Sequence, residues 1–159
     1  MFARNIEDFL DSNHVTYLGD EASNLRSVLI LTHEDGCGFS ISDVRITGGW
    51  SQDLHYKHHV GINFVVAGNL TVTDLVRATS WELTPGMLYI VGPKDHHRLS
   101  ADGDAHMVSV FNPALSEVER DGADGTLEPS GEVPSAWQGE AGHTMFVLRE
   151  EDIGKVLLR

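Results

Sequence analysis

The stretch DLHYKHHVGINFVVAG, residues 53–68, decides the fold predicted for this chain. Apolar and polar residues alternate through it and turn residues follow, which is typical of a half-buried strand. If the chain stays extended, one face carries His55, Lys57, His59, Gly61 and Asn63. Two histidines, a lysine and an amide on one face indicate a polar cavity. The alternative is an edge strand whose histidines are exposed to solvent.

Short runs of apolar and β-branched residues lie on both sides of this stretch, separated by turn residues such as Pro85-Gly86. Many short strands without a long helical pattern between them predict an all-β sandwich or closed barrel. One short helix is predicted over 5–13, where apolar residues have helical spacing. The predicted strands cover 27–32, 39–47, 54–59, 61–67, 70–75, 77–83, 87–91, 97–100 and 106–111.

The chain has 159 residues, enough for one domain with a buried core, and no repeat of fixed period divides it. We predict a single domain over 1–159 with a barrel core at about 15–115. Glu, Asp, Gly and Pro dominate 116–143, which predicts an acidic loop or lid. Residues 144–159 are predicted to form a C-terminal strand or tail.

Acidic residues outnumber basic ones by 24 to 11, and the formal net charge is −13. Such a surface repels phosphate backbones, which argues against a nucleic-acid partner. No apolar run approaches the roughly 20 residues that span a bilayer, and the first residues lack the pattern of a secretory signal. Cys37 is the only cysteine, which excludes an internal disulfide and suits a reducing compartment. We therefore expect a cytoplasmic protein without a membrane partner.

A second histidine-rich stretch, TPGMLYIVGPKDHHRLS, covers residues 84–100. Two turns flank a predicted strand that carries Tyr89, and His97 follows the second turn. Imidazoles and a phenolate are good ligands for iron, zinc or copper. Strands that meet across a barrel would bring Tyr89 and His97 together with His55 or His59. The alternative is that Tyr89 is a core aromatic residue and the histidines lie on a surface loop.

Four short motifs occur here in the order that is found in the cupin superfamily and, more narrowly, in ectoine synthases. They are HYKHH at 55–59, Pro-Gly-x-x-Tyr at 85–89, Asp-x-His-x-Leu at 95–99 and Val-Phe-Asn-Pro-x-Leu at 110–115. Over roughly residues 3–125 the chain resembles the ectoine synthase family as a divergent member. The resemblance implies an all-β cupin double-stranded β-helix (a jelly-roll barrel) with a short N-terminal helix and an irregular C-terminal segment.

Ectoine synthases close a ring in N-acetyl-2,4-diaminobutyrate with loss of water, in an iron-containing pocket. The resemblance implies a metal-dependent lyase for a small N-acylated diamino acid, a polar metabolite, with Tyr89 and His97 as two metal ligands. The third ligand of the family is a glutamate, and its position here is Gly61. Either His55 or His59 supplies a third ligand, or Gly61 leaves room for a water or a bidentate substrate. We expect a divalent metal, iron(II) before zinc or copper.

Further site residues follow from the same resemblance and from the predicted strand face, and the resemblance also implies a homodimer. His55, Glu117 and Glu119 are candidate acids or bases for the removal of water. Arg26 is a candidate for binding the substrate carboxylate. The other candidate substrate contacts are Ser40, Lys57, Asn63, Ser109 and Phe111.

Two other functions stay open at the level of sequence. The change at Gly61 favours a cupin enzyme of different chemistry, such as an oxygenase or isomerase, that acts on a small amino-acid-like substrate. The third alternative is a non-catalytic ligand-binding cupin, which would hold no metal and turn nothing over. A ligand would still raise the melting temperature of such a protein.

Overall fold

A computed structural model describes residues 2–12, 14–18 and 24–115, which form ten strands and two short 3₁₀ helices. The helices are Ile6–Phe9 and His33–Asp35. The strands are β1 Val15–Leu18, β2 Leu25–Leu31, β3 Ser40–Ile46, β4 Trp50–His55, β5 Val60–Ala67, β6 Leu70–Asp74, β7 Thr79–Leu83, β8 Leu88–Val91, β9 His96–Ala101 and β10 Ala105–Asn112.

The strands form two antiparallel sheets that share one core. The larger sheet has the strand order β1-β2-β3-β10-β5-β8, and the smaller has the order β4-β9-β6-β7. One hydrophobic cluster contains Val44 and Met107 from the larger sheet and Leu54, Val72 and Leu99 from the smaller. Because apolar side chains of both sheets are buried against each other, the predicted all-β architecture is confirmed for the described residues.

Cross-strand register places a polar row on the inner face of the larger sheet. Ser42 pairs with Ser109, Ser109 pairs with Asn63, and Asn63 pairs with Tyr89, across β3, β10, β5 and β8. All four side chains are buried. The larger sheet therefore presents hydroxyl, amide and phenol groups to the interior.

The smaller sheet presents one histidine to the same interior. Along β9, His97, Leu99 and Ala101 are buried, whereas His96 and Arg98 are exposed. Successive side chains of a strand point to opposite faces, so the pleat that buries the apolar residues also buries His97.

The stretch 53–68 is not a single strand, so the predicted shared face is wrong. β4 ends at His55, a turn follows in which the His59 N–H donates to the Tyr56 carbonyl over 3.2 Å, and β5 begins at Val60. The turn carries the chain from the smaller sheet to the larger one, and the alternation of faces restarts after it. As a result Tyr56 is buried in the interior, at 5% exposure.

The N-terminal helix is shorter than predicted. Residues Ile6–Phe9 form a 3₁₀ helix in place of the helix expected over 5–13, and the Asn5 side chain caps it by accepting the Glu7 N–H over 3.2 Å. Strand β1, which the sequence did not predict, follows and pairs with β2.

An ion pair ties the segment before β1 to the second 3₁₀ helix. The Arg4 guanidinium donates to Asp35 Oδ1 over 2.6 Å, and the Thr32 backbone N–H donates to Asp35 Oδ2 over 3.0 Å. These bonds hold the pKa of the Asp35 carboxyl below its ordinary value, chiefly through Arg4.

The acidic loop or lid predicted over 116–143 and the strand or tail predicted over 144–159 lie outside the described residues. Glu117 and Glu119 lie outside them for the same reason. Within the described part of the chain, no helix is long and apolar enough to cross a membrane.

Candidate functional site

A buried hydrogen bond orients the amide of the polar row. The Ser109 hydroxyl donates to Oδ1 of Asn63 over 2.7 Å, and the two side chains are 1% and 0% exposed. The amide nitrogen of Asn63 has no hydrogen-bond partner among the described residues. Burying an amide N–H without an acceptor costs free energy. This nitrogen is therefore a donor that is available to a molecule in the interior.

Tyr89 and His97 meet across the two sheets. Their ring centroids lie 6.1 Å apart, and both side chains are buried. Within the described part of the chain, Oη of Tyr89 and both ring nitrogens of His97 have no hydrogen-bond partner. Buried polar groups are nearly always satisfied, so this concentration of unsatisfied atoms points to a bound ion or molecule.

Burial also fixes the protonation of this pair. It lowers the pKa of the His97 imidazole, which favours the neutral ring that binds metals. It raises the pKa of the Tyr89 phenol, so the phenol stays protonated unless a cation stabilises the phenolate. Without a bound cation, both side chains are therefore neutral at ordinary pH.

His59 lies at the start of β5 and is 1% exposed. Its Nδ1 is 2.8 Å from the Pro113 carbonyl oxygen, and because a carbonyl only accepts, Nδ1 carries the proton. In that neutral tautomer Nε2 carries the lone pair, which is the form of histidine that binds metals. Ring contacts connect His59 to Phe111, Phe111 to Tyr56 and Tyr56 to His97, with centroids 6.4, 5.1 and 5.2 Å apart.

Gly61 leaves no open space beside it. A Cβ at this position would lie 2.9 and 3.0 Å from Cε2 and Cδ2 of Tyr56, and 3.3 Å from Cε1 of Phe111. The expectation that Gly61 leaves room for a water or a bidentate substrate is therefore wrong. The ring of Tyr56 fills that space.

His55 and Lys57 do not share the inner face of β5. His55 Nε2 bonds to the Pro93 carbonyl oxygen over 2.9 Å, and its ring stacks on His96 at a centroid distance of 3.8 Å. Because Leu54 points inward on β4, His55 points outward. Lys57 lies half-buried in the turn between the two sheets.

The remaining sequence-predicted residues of the described part have different surroundings. Leu25 and Ser27 line the interior cavity, so Arg26 between them belongs to the opposite face of β2. Its Nε is buried and has no hydrogen-bond partner among the residues that the structure describes. Ser40 is fully buried, and its hydroxyl accepts the Leu115 N–H over 3.0 Å. Ser40 therefore fixes the chain that follows β10.

A cavity of about 60 Å³ lies between the sheets, next to the polar row. Its walls include Ser109 and Phe111, which the sequence identified, together with His14, Ser42 and Tyr56, which it did not. The alternation of the predicted strand 39–47 would have identified Ser42, since it shares a face with Ser40. No pattern marks His14, whose Nδ1 bonds to the Leu29 carbonyl oxygen over 3.0 Å.

The residues present fit a metal in part. Tyr89 and His97 offer buried donor atoms, and His59 is the third candidate donor. The described residues contain no group of three His, Cys, Asp or Glu that could hold a metal ion. A site here would therefore use the phenol oxygen as a ligand and could not use a carboxylate at position 61.

Comparisons with known proteins agree with this architecture. Residues 1–130 match the family model described as ectoine synthase. L-ectoine synthase of Halomonas elongata is 31% identical over 132 residues, which are 83% of this chain and 95% of that protein. L-ectoine synthase of Mycobacteroides abscessus is 34% identical over 107 residues, which are 67% of this chain and 78% of that protein.

Solved structures confirm the cupin fold. The crystal structure of ectoine synthase from P. lautus covers 74% of this chain and 81% of its own, with a TM-score of 0.65 and 29% identity. An RmlC-like cupin from Shewanella frigidimarina covers 62% of this chain and 85% of its own, with a TM-score of 0.51 and 21% identity. With a family match over most of its length, this chain belongs to the ectoine synthase family of cupins.

Proposed function

We propose that this protein is a carbon–oxygen lyase that closes a ring in a small N-acylated diamino acid with loss of water. One observation carries the proposal. The buried polar atoms of Asn63, Tyr89 and His97 lack hydrogen-bond partners among the described residues, inside the barrel of an ectoine synthase relative. N-acetyl-2,4-diaminobutyrate, the substrate implied by the family, is the first compound to test.

The proposal includes a divalent metal held by Tyr89 and His97, with His59 as the third ligand. Iron(II) is the metal that the family implies, and zinc or copper would also suit a phenol with two imidazoles. When bound, such a metal acts as a Lewis acid on a carbonyl oxygen. The Pro113 carbonyl holds the His59 ring in the required tautomer.

Residues in the cavity wall and the Asn63 amide behind Ser109 would bind and enclose the substrate. The Asn63 amide, oriented by Ser109, donates to an oxygen of the ligand. Tyr56 and Phe111 provide apolar walls that exclude water from the reacting groups.

Four sequence-predicted site residues in the described part lie in other surroundings. Arg26 lies on the outer face of β2, His55 points outward from β4 and Lys57 lies in the turn between the sheets. A role for them in substrate binding or proton transfer would therefore require their side chains to move. Ser40 is held in a structural bond and would contribute only indirectly. Glu117 and Glu119 stay predictions as acids or bases.

Metal content and ring closure test the proposal together. Purified protein is stripped, reconstituted anaerobically with iron(II) or zinc, and incubated with N-acetyl-2,4-diaminobutyrate while NMR follows the cyclic product. We expect near-stoichiometric metal and turnover, with both lost in Tyr89→Phe and His97→Ala. Tyr17→Phe on the outer edge strand β1 is the matched control, because Tyr17 is half exposed. Metal binding without ring closure would contradict the lyase assignment.

A different cupin chemistry is the second candidate, and the glycine at position 61 favours it. Without a carboxylate, the proposed set of metal ligands carries less negative charge than the set that the family implies. Such a site would suit an oxygenase or isomerase for a small amino-acid-like compound. Oxygen consumption with candidate amino acids separates an oxygenase from a lyase. A ligand-induced rise in melting temperature without any turnover would favour the non-catalytic binding protein.

A cytoplasmic location and a homodimer are also part of the proposal. Cys37 is the only cysteine, which supports a cytoplasmic location. Phe64, Val66 and Leu88 are exposed on the adjacent strands β5 and β8, and such apolar side chains support the predicted homodimer. Sedimentation equilibrium would measure the subunit number directly.

A further inference from the structure

The contact between Tyr56 and Gly61 determines which ligands the site can hold. The family's glutamate would start from the Cα of Gly61, and its first side-chain carbon would already overlap the Tyr56 ring. Carbon atoms in favourable contact are about 3.5–4.0 Å apart, so the ring would have to move for any side chain at this position.

Tyr56 has little freedom to move. It is 5% exposed, and its ring makes edge contacts with His97 at an interplanar angle of 73° and with Phe111 at 82°. Its carbonyl accepts the His59 N–H within the tight turn. Close-packed interiors resist such displacements, so a ring that is held on two sides and at its backbone will exclude a longer side chain at Gly61.

We propose that Tyr56 sets the metal preference of this site, because its ring occupies the space of the carboxylate ligand and restricts the protein donors to phenol and imidazole. The inference rests on the proposed function, in particular on Tyr89 and His97 as ligands. A histidine-and-carboxylate set is typical of iron(II) sites, whereas three-ligand sites rich in imidazole are typical of zinc. The preference therefore moves from iron(II), which the family implies, to zinc.

Four variants of the full chain separate the space that Tyr56 occupies from the chemistry of a carboxylate. They are Gly61→Glu, Tyr56→Ala, the double variant Gly61→Glu/Tyr56→Ala, and the double variant Gly61→Gln/Tyr56→Ala. The last is the matched control, since glutamine has the size of glutamate without its charge. The affinities for zinc and iron(II) are measured anaerobically by chelator competition, and the melting temperature is measured on metal-free protein.

We expect wild-type protein to bind zinc more tightly than iron(II). Gly61→Glu alone lowers the melting temperature and gains no iron(II) affinity, because the ring blocks the carboxylate. Gly61→Glu/Tyr56→Ala binds iron(II) about tenfold more tightly, relative to zinc, than the glutamine control does.

Two results would overturn the inference. One is a Gly61→Glu protein with wild-type melting temperature and increased iron(II) affinity. The other is an equal iron-to-zinc ratio in the two double variants. If wild-type protein binds neither metal in a Tyr89-dependent way, the proposed metal site itself is wrong. If the glutamate variants do not fold, Gly61→Ala and Gly61→Ala/Tyr56→Ala provide the steric test. Gly61→Ala should lower the melting temperature of wild-type protein, and it should lower that of Tyr56→Ala by less, because the ring that it overlaps is gone.

Discussion

The Ser109 hydroxyl donates to Oδ1 of Asn63 over 2.7 Å in a fully buried bond between β10 and β5. This bond decides which end of the amide is available to a ligand, because the oxygen is occupied and the nitrogen has no partner among the described residues. If Asn63 binds the substrate as proposed, its orientation is determined by the neighbouring Ser109.

Ser109→Ala should weaken substrate binding more than it slows the reaction. The change leaves a buried amide oxygen without a donor, which costs about 1–3 kcal/mol and frees the amide to turn. We expect a higher KM for ring closure, a nearly unchanged kcat and a lower melting temperature. Ser100→Ala on β9 is the control, since its hydroxyl bonds to the Thr71 carbonyl away from the cavity. Equal KM values in the two variants would contradict this role.

Tyr89→Phe should stabilise the metal-free protein while it removes metal binding. Its hydroxyl is buried without a hydrogen-bond partner in the described structure, so its removal relieves a desolvation cost of about 1 kcal/mol. For a domain of this size the melting temperature should rise by roughly 2–4 °C. Calorimetry of stripped protein checks the sign. A decrease in melting temperature would mean that the hydroxyl is satisfied in the folded protein.

His59→Asn and His59→Gln should differ in metal binding. The asparagine amide nitrogen falls near the position of Nδ1 and can still donate to the Pro113 carbonyl, but it removes the Nε2 donor. We expect His59→Asn to keep the melting temperature of metal-free wild type and to lose at least about tenfold in zinc affinity. His59→Gln should lose the Pro113 bond and melt lower. Unchanged zinc affinity in both variants would exclude His59 as a ligand.

The Arg4–Asp35 ion pair should contribute stability only above the acid range. Because the folded pKa of Asp35 is depressed by Arg4, its contribution is complete above about pH 4 and is lost as the pH falls through the folded pKa. Arg4 is partly exposed, so we expect about 0.5–1 kcal/mol. Urea unfolding of wild type and Asp35→Asn at pH 7 and pH 3 measures this difference. The exposed Asp102→Asn is the control, and an equal difference at both pH values would contradict the prediction.

Strand pattern and residue chemistry predicted much of the barrel and the meeting of two candidate site residues, Tyr89 and His97, across it. Turn residues bound the short strands that carry Tyr89 and His97. The alternation of apolar residues in these strands then decides which side chains point inward. The interpretation of Gly61 as a departure from the family motif stays a prediction. The positions of these residues follow from turn residues and from the local alternation of apolar and polar residues, both of which can be read from the sequence.

The arrangement around HYKHH was not predictable in the same way. A tight turn of polar residues and a polar strand have similar composition, so the sequence does not mark where His55 leaves one sheet and Val60 enters the other. Tyr56, which lies in that turn, was consequently not identified as an interior residue. Arg26 illustrates a related limit, since the face of β2 that is covered depends on packing against the neighbouring sheet.

The meeting of Tyr89 and His97 across the two sheets has a consequence for kinetics. A molecule or ion bound to both residues would act as a crosslink between the layers of the barrel, and neither layer could open without releasing it. Dissociation would then be limited by the breathing of the barrel, and hydrogen exchange of β8 and β9 amides would slow together on binding. The residence time of the bound molecule would then depend on how often the two sheets separate.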